Sequence, residues 1–235
     1  MGTIYDTGMQ PELKPLALIV GAGSGLSASL ARQCAAAGMR VALAARNVEK
    51  LKAEFPKAEL HRCDTVDPAQ VEKLFAAMET PELVVYNPSY RVRGPITSLD
   101  AEEVRRALMV TAFGGFLVAQ EAAKRMLERG RGSLFFTGAS ASVKGYAQSA
   151  PFAMGKFALR GLAQSVAREL QPKGIHVAHV VIDGGIRSAR RIEPADAPDS
   201  LLDPDAIAGS YLHLLRQPRS AWTQEIELRP WVEKF

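Results

Sequence analysis

Residues 16–31 read Leu16-Ala17-Leu18-Ile19-Val20-Gly21-Ala22-Gly23-Ser24-Gly25-Leu26-Ser27-Ala28-Ser29-Leu30-Ala31, and the order of residue types in this stretch decides the fold. The opening run of five apolar residues without a charge predicts a strand buried on both faces. Three glycines and a serine follow, and then Leu26, Leu30 and Ala31 recur at helical spacing. The glycine turn therefore joins the carboxyl end of a strand to the amino end of a helix. Free backbone N–H groups and the positive end of the helix dipole converge there, and a phosphate is the anion they suit. Gly21 permits the sharp turn, Gly23 and Gly25 let the backbone approach a pyrophosphate, Ser24 adds a hydroxyl donor and Leu26 opens the helix. The plainer reading is a glycine-rich turn that binds nothing; the strand before it and the helix after it argue against that.

Outward from this turn the same alternation repeats. A helix to about Ala37 ends at Gly38, and Arg40–Ala45 predicts a second strand. A helix over about 48–55, a strand near 58–62 and a helix started by Asp67-Pro68 follow. Residues 83–90 read as a fourth strand with a polar end. A long helical stretch from about 100 to 129 should break or tighten near Gly114-Gly115. A fifth strand over 133–137, a small-residue loop over 138–148, a helix over 150–170 and a sixth strand over 175–182 come next. A polar, proline-containing segment over 187–203 has the length of a flap over a pocket. A helix near 204–215 and a strand near 223–228 close the chain. The expected fold is α/β: a Rossmann-type, doubly wound parallel sheet of about seven strands with helices on both faces, in one domain over 15–235 behind a loose arm at 1–14.

Composition agrees with that class. The 235 residues suit one large domain, and 47% hydrophobic with 23% charged residues is ordinary for a globular protein. The net charge of +4 is scattered, with local concentrations only at Arg91/Arg93 and Arg187/Arg190/Arg191. This argues against a nucleic-acid partner. No signal peptide or long apolar span is visible, so no membrane partner is expected. Cys34 and Cys63 lack metal spacing, and His176 and His179 fall on opposite faces of a strand, so no metal site is expected. A reducing, cytoplasmic setting follows.

The strand tips carry the candidate ligand contacts. In a dinucleotide fold an acid at the end of the second strand binds a ribose 2′-OH, whereas a small residue beside an arginine accommodates a 2′-phosphate. Ala45-Arg46-Asn47 is of the second kind and favours NADP(H), with NAD(H) possible; the plain alternative is that Arg46 caps a solvated turn. Asp64 at the third strand tip either accepts from an adenine amino group or is an ordinary turn aspartate.

With these motifs in order along nearly the whole chain, the sequence resembles the short-chain dehydrogenase/reductase family. Gly21-Ala22-Gly23-Ser24-Gly25-Leu26-Ser27 is similar to its glycine motif, with Ser27 in place of the last glycine. Asp64 matches the adenine-contacting aspartate. Tyr86-Asn87-Pro88-Ser89 stands where the family has Asn-Asn-Ala-Gly and keeps Asn87. Asp183-Gly184-Gly185-Ile186 resembles the segment that touches the nicotinamide, with Asp183 where proline is usual. The resemblance covers about residues 15–230. It implies that Gly184, Gly185 and Ile186 join the glycine turn in holding a nicotinamide coenzyme, and it implies a homodimer or homotetramer.

At the reaction centre the chain departs from the family. The Tyr-x-x-x-Lys motif is represented by Phe152-Ala153-Met154-Gly155-Lys156, the catalytic serine falls on Ala139 and the helix asparagine on Thr111. Phenylalanine has no proton to give. Loss of a general acid removes ~10²- to 10⁴-fold in rate, and loss of an oxyanion donor about as much again. Lys156 keeps the role the family gives it at the nicotinamide ribose. Tyr90, Ser140 and Ser142 are the candidate replacement proton donors, with Tyr146 farther off; for each, an ordinary polar loop residue is the alternative. The leading expectation is an oxidoreductase with a non-standard active site that transfers hydride to an unidentified small molecule needing little acid assistance, such as an iminium or an activated alkene. The rival expectations are a catalytically silent NADP(H)-binding sensor and a structural subunit.

Overall fold

In the computed structural model, residues 13–233 are described, so the expected arm at 1–14 lies almost wholly outside the described residues. The strands are β1 (Leu16–Val20), β2 (Arg40–Ala45), β3 (Glu59–Arg62), β4 (Leu83–Tyr86), β5 (Gly132–Thr137), β6 (Ile175–Ile182) and β7 (Glu225–Leu228). They form one sheet in the order β3-β2-β1-β4-β5-β6-β7, and every pairing is parallel. The strand order reverses between β1 and β4. In an open parallel sheet that reversal opens a crevice at the carboxyl ends, where ligands bind.

The strand side chains alternate between two cores, as a period of two requires. Leu18, Val20, Tyr86, Leu134 and Phe136 face one side, against α5 (Gly114–Arg129) and α6 (Ala150–Leu170). Ala17, Ile19, Leu43, Val85 and Phe135 face the other, against α1 (Leu26–Ala36) and α7 (Pro204–Leu215). Burial of these uncharged strands on both faces is what a parallel sheet covered by helices demands. The remaining helices are α2 (Glu49–Lys52), α3 (Pro68–Ala76), capped by Asp67, and α4 (Ala101–Leu108), capped by Asp100. Among the described residues no helix is long and apolar enough to cross a membrane.

Four local expectations are corrected. The fourth strand stops at Tyr86: Asn87 N takes the last β1 carbonyl, Val20 O, at 3.0 Å, and Pro88 has no N–H to continue a ladder. The second helix shrinks from about eight residues to four, with the Asn47 side chain accepting from Glu49 N at 3.1 Å. The loop before α6 contains a short helical turn at Ser140–Ser142. The long helical stretch breaks just before the glycines, as expected, but by widening rather than tightening, into a π turn at Met109–Phe113. The buried Tyr86 hydroxyl donates to the carbonyl of Val110 at 2.5 Å inside that turn. A Cβ on Gly114 would lie 2.6 Å from the same hydroxyl, and one on Gly115 would lie 2.7 Å from Leu159. The two glycines thus admit Tyr86 and α6 against the helix axis, and the side chain inserted there displaces the ordinary ladder.

Candidate functional site

The turn after β1 is tied to β2, because Gly21 N and Ala22 N both donate to Ala44 O, at 2.9 and 3.0 Å. Gly21 sits at φ +81° and Gly25 at φ +106°, conformations that glycine adopts without strain. A Cβ at Gly21 would also lie 2.7 Å from Pro88. Among the described residues no side chain caps α1, so its first amides, which have no intrahelical partners, are left free at the crevice. Ser27 replaces the usual last glycine and works as a strut: its hydroxyl donates to Gly21 O at 3.1 Å and accepts from the Asn87 amide at 2.7 Å. The sequence marked Ser27 only as a departure. Its pairing with the one retained polar residue of the fourth strand tip was the signal available.

Beyond the turn, Ala45, Arg46, Asp64, Asn87 and Val110 line a cavity of about 400 Å³. Arg46 is exposed on its wall and forms no ion pair among the described residues. Asp64 uses one carboxylate oxygen on Val66 N at 3.3 Å, so it holds its own turn while lining the cavity. Across the crevice, Ser24, Gly25 and Leu26 line a second space of about 330 Å³ together with Ile186 and Arg191. Arg187 N donates to Leu202 O, and Leu202 N donates to Gly185 O, each at 2.8 Å. Both ends of the 187–203 segment are thereby pinned beside the glycine turn.

A third cavity, of about 480 Å³, lies over the positions that depart from the family pattern; Ala139, Ser140, Tyr146, Phe152, Gly184 and Gly185 are among its lining residues. Phe152 is nearly buried, and the Arg91 guanidinium stands 4.3 Å from its ring centroid. Below, the Lys156 ammonium donates to Thr137 O at 2.7 Å and is 3% exposed. Burial, aided by the charge of Arg91, pushes its pKa down to about 7. Thr111 is buried against α6, and its hydroxyl accepts from Tyr90 N at 3.3 Å.

The candidate donors have separate surroundings. The Tyr90 hydroxyl donates to Glu103 at 2.6 Å beneath Arg106, and that bond raises its pKa. Ser142 is fully buried, its oxygen accepting from Ala139 N at 3.1 Å. Ser140 does line the third cavity. It stands next to Asp183, whose carboxylate is fully buried 3.1 Å from Lys144 and 3.3 Å from Arg229. Burial alone would raise the Asp183 carboxyl, and the Ser140 hydroxyl with the two cations outweighs it and holds the pKa low. Of the sequence candidates, the structure thus gathers Ser140 and Tyr146 around one cavity and engages Tyr90 and Ser142 elsewhere.

The two histidines of β6 serve packing. His176 stacks on Trp222 at 4.8 Å, and His179 Nδ1 lies 2.9 Å from Glu225, which also takes both arms of the Arg160 guanidinium.

The glycine turn at a strand-order reversal, with cavities on either side, has counterparts among known proteins. A short-chain dehydrogenase from Rhodopseudomonas palustris is 35% identical, superposes with a TM-score of 0.80 and is covered over 99% of its chain by 92% of this one. A metagenomic short-chain oxidoreductase solved in complex with NADP is 27% identical, with a TM-score of 0.80 and coverage of 94% of this chain and 99% of that one. An uncharacterised oxidoreductase of Staphylococcus aureus is 26% identical over 227 residues, which is 92% of this chain and 96% of the relative. The short chain dehydrogenase family model matches residues 15–194, a span that runs from β1 through the glycine turn, Phe152 and Lys156 to the segment after β6. The sheet order, the site and the sequence agree, and the chain belongs to the short-chain dehydrogenase family.

Proposed function

We propose that this oxidoreductase-family protein binds NADP(H) in the crevice between β1 and β4 and transfers hydride to a small molecule that needs little help from a protein acid. The carrying observation is the pairing of an uncapped glycine turn with an arginine, Arg46, that lines the adenosine-end cavity without an ion-pair partner among the described residues. Such an arginine suits a 2′-phosphate, and the tip of β2, Ala45-Arg46-Asn47, carries no carboxylate to favour a bare ribose. Gly21, Gly23, Ser24, Gly25 and Leu26 hold the pyrophosphate, Asp64 and Asn87 border the adenosine and ribose ends, and Gly184, Gly185 and Ile186 face the nicotinamide. The coenzyme supplies the hydride. The chain orients it, keeps water from the reacting face with Phe152, and holds a readily exchanged proton on Lys156.

A second reading, a catalytically silent NADP(H) sensor, is supported by the engagement of Tyr90 with Glu103 and the burial of Ser142. Calorimetry with NADPH and NADH decides the coenzyme. The Arg46→Ala variant should weaken NADPH about 10-fold or more and leave NADH nearly unchanged, as loss of a charge-assisted phosphate contact requires. Equal weakening of both removes the 2′-phosphate role. NADPH consumption above background with imine or activated-alkene substrates supports turnover; tight coenzyme binding with none supports the sensor.

Exposed Phe113 and Phe116, stacked at 6.2 Å, and exposed Met154 and Phe157 on α6 support a homodimer or homotetramer. Light scattering on the purified chain tests it.

A further inference from the structure

We propose that the cavity over Phe152 takes an organic anion, a small molecule bearing a carboxylate or phosphate group, and that Arg91, Arg93 and Arg191 hold it. This deepens the reading above and rests on it for the cavity's identity as the substrate end of the crevice.

The argument begins with charge. Arg91 and Arg93 follow β4, and Arg191 comes a hundred residues later, after β6, yet all three line the same space of about 480 Å³. Lys156 lies beneath them, close enough that Arg91 depresses its pKa. Partial burial, then Arg93 and Arg191, lower the pKa of Arg91 itself. Most other described arginines have a carboxylate partner: Arg32, Arg40, Arg106, Arg129, Arg160 and Arg187 are examples. These three form no ion pair among the described residues. The acids nearby do not neutralise them: Asp183 is engaged by Lys144 and Arg229, and Glu233 lines the cavity without a salt bridge to any of the three.

Like charges gathered without counter-ions repel, and a bound anion turns that repulsion into attraction. Guanidinium groups match carboxylate and phosphate oxygens bidentately. Arg91 is oriented in advance, because its guanidinium carbon sits over the Phe152 ring, 4.3 Å from the centroid. The same ring offers an apolar surface to the carbon skeleton beside the charged group, and the cavity has the volume of a small-molecule site. Replacement of the usual tyrosine by Phe152 thus goes together with a cation placed over the ring.

The test is calorimetry on the full chain, with and without saturating NADPH, using benzoate and phenyl phosphate as anionic probes and benzamide as the neutral match. Both anions should bind about 10-fold or more tightly than benzamide, the scale of charge-assisted bonds. Arg93→Gln should remove most of that preference, as should Arg91→Gln. Among the described residues Arg93 makes no ring or ion-pair contact, so its variant keeps the test valid if Arg91→Gln disturbs the fold. Benzamide binding as tightly as benzoate overturns the proposal, as does a preference unchanged in both variants. Displacement of benzoate by NADPH assigns the arginines to the coenzyme and also overturns it. Anion preference on a protein that binds no NADPH keeps the anion site and removes the coenzyme reading instead.

Discussion

The Asn87 side chain donates to the Ser27 hydroxyl at 2.7 Å, and that hydroxyl donates onward to Gly21 O at 3.1 Å. A single side chain therefore ties the tip of β4 to the glycine turn across the crevice. Ser27→Ala leaves the Asn87 amide and the Gly21 carbonyl without this partner, at a cost of about 1–2 kcal/mol. The expected result is a Tm lower by roughly 3–6 °C for a chain of this length. Calorimetric unfolding reads it directly, and an unchanged Tm refutes the strut.

The π turn makes a sharper claim. A methyl group on Gly114 meets the Tyr86 hydroxyl at 2.6 Å, the Thr65 hydroxyl at 2.8 Å and the Thr65 carbonyl at 3.0 Å. Backbone and a buried ring have little room to yield, so Gly114→Ala should destabilise by about 2–3 kcal/mol through overpacking. Gly145→Ala, where no atom of the described residues lies within 4 Å of the new group, is the control and should change stability by less than about 0.5 kcal/mol. Chemical denaturation of the two variants separates the outcomes.

Restoring the missing hydroxyls tests what the reaction centre lost. Phe152→Tyr with Ala139→Ser places a phenol above Lys156, whose depressed pKa keeps it able to exchange a proton near neutrality. NADPH-dependent ketone reduction should rise by ~10²-fold or more over the parent chain, the scale of one general acid. No rise on a variant that still binds NADPH refutes the claim that these two hydroxyls are what the reaction centre lost.

His179 gives the pH dependence. Burial, opposed by the bond to Glu225, pushes its pKa down to about 4 from an ordinary value near 6.5. The folded protein holds the ring neutral while the unfolded chain protonates it, so stability falls as pH drops from about 6.5 towards 4. At pH 4.5 the loss from this ring is about 2–3 kcal/mol. His179→Gln removes the titrating ring and should flatten that part of the Tm-against-pH curve; an unchanged curve assigns the acid lability elsewhere.

The sequence by itself determined the sheet, the family and the order of the motifs. These are local: an uncharged run as short as Leu16–Val20, closed by glycines, reads as a strand covered on both faces, and glycines between a strand and a helix read as the turn at its tip. The helix over Ala150–Leu170 was legible to the residue, because its apolar spacing and the closing Pro172 and Gly174 lie within one segment. Tertiary structure alone decided the rest. The π turn arises because Tyr86, two dozen residues away, donates to Val110. Ser27 becomes a strut only once β4 brings Asn87 beside it. Arg91 and Arg191 converge because parallel strands send every loop at their carboxyl ends to one edge, and which charges meet there depends on three-dimensional proximity that spacing along the chain does not encode.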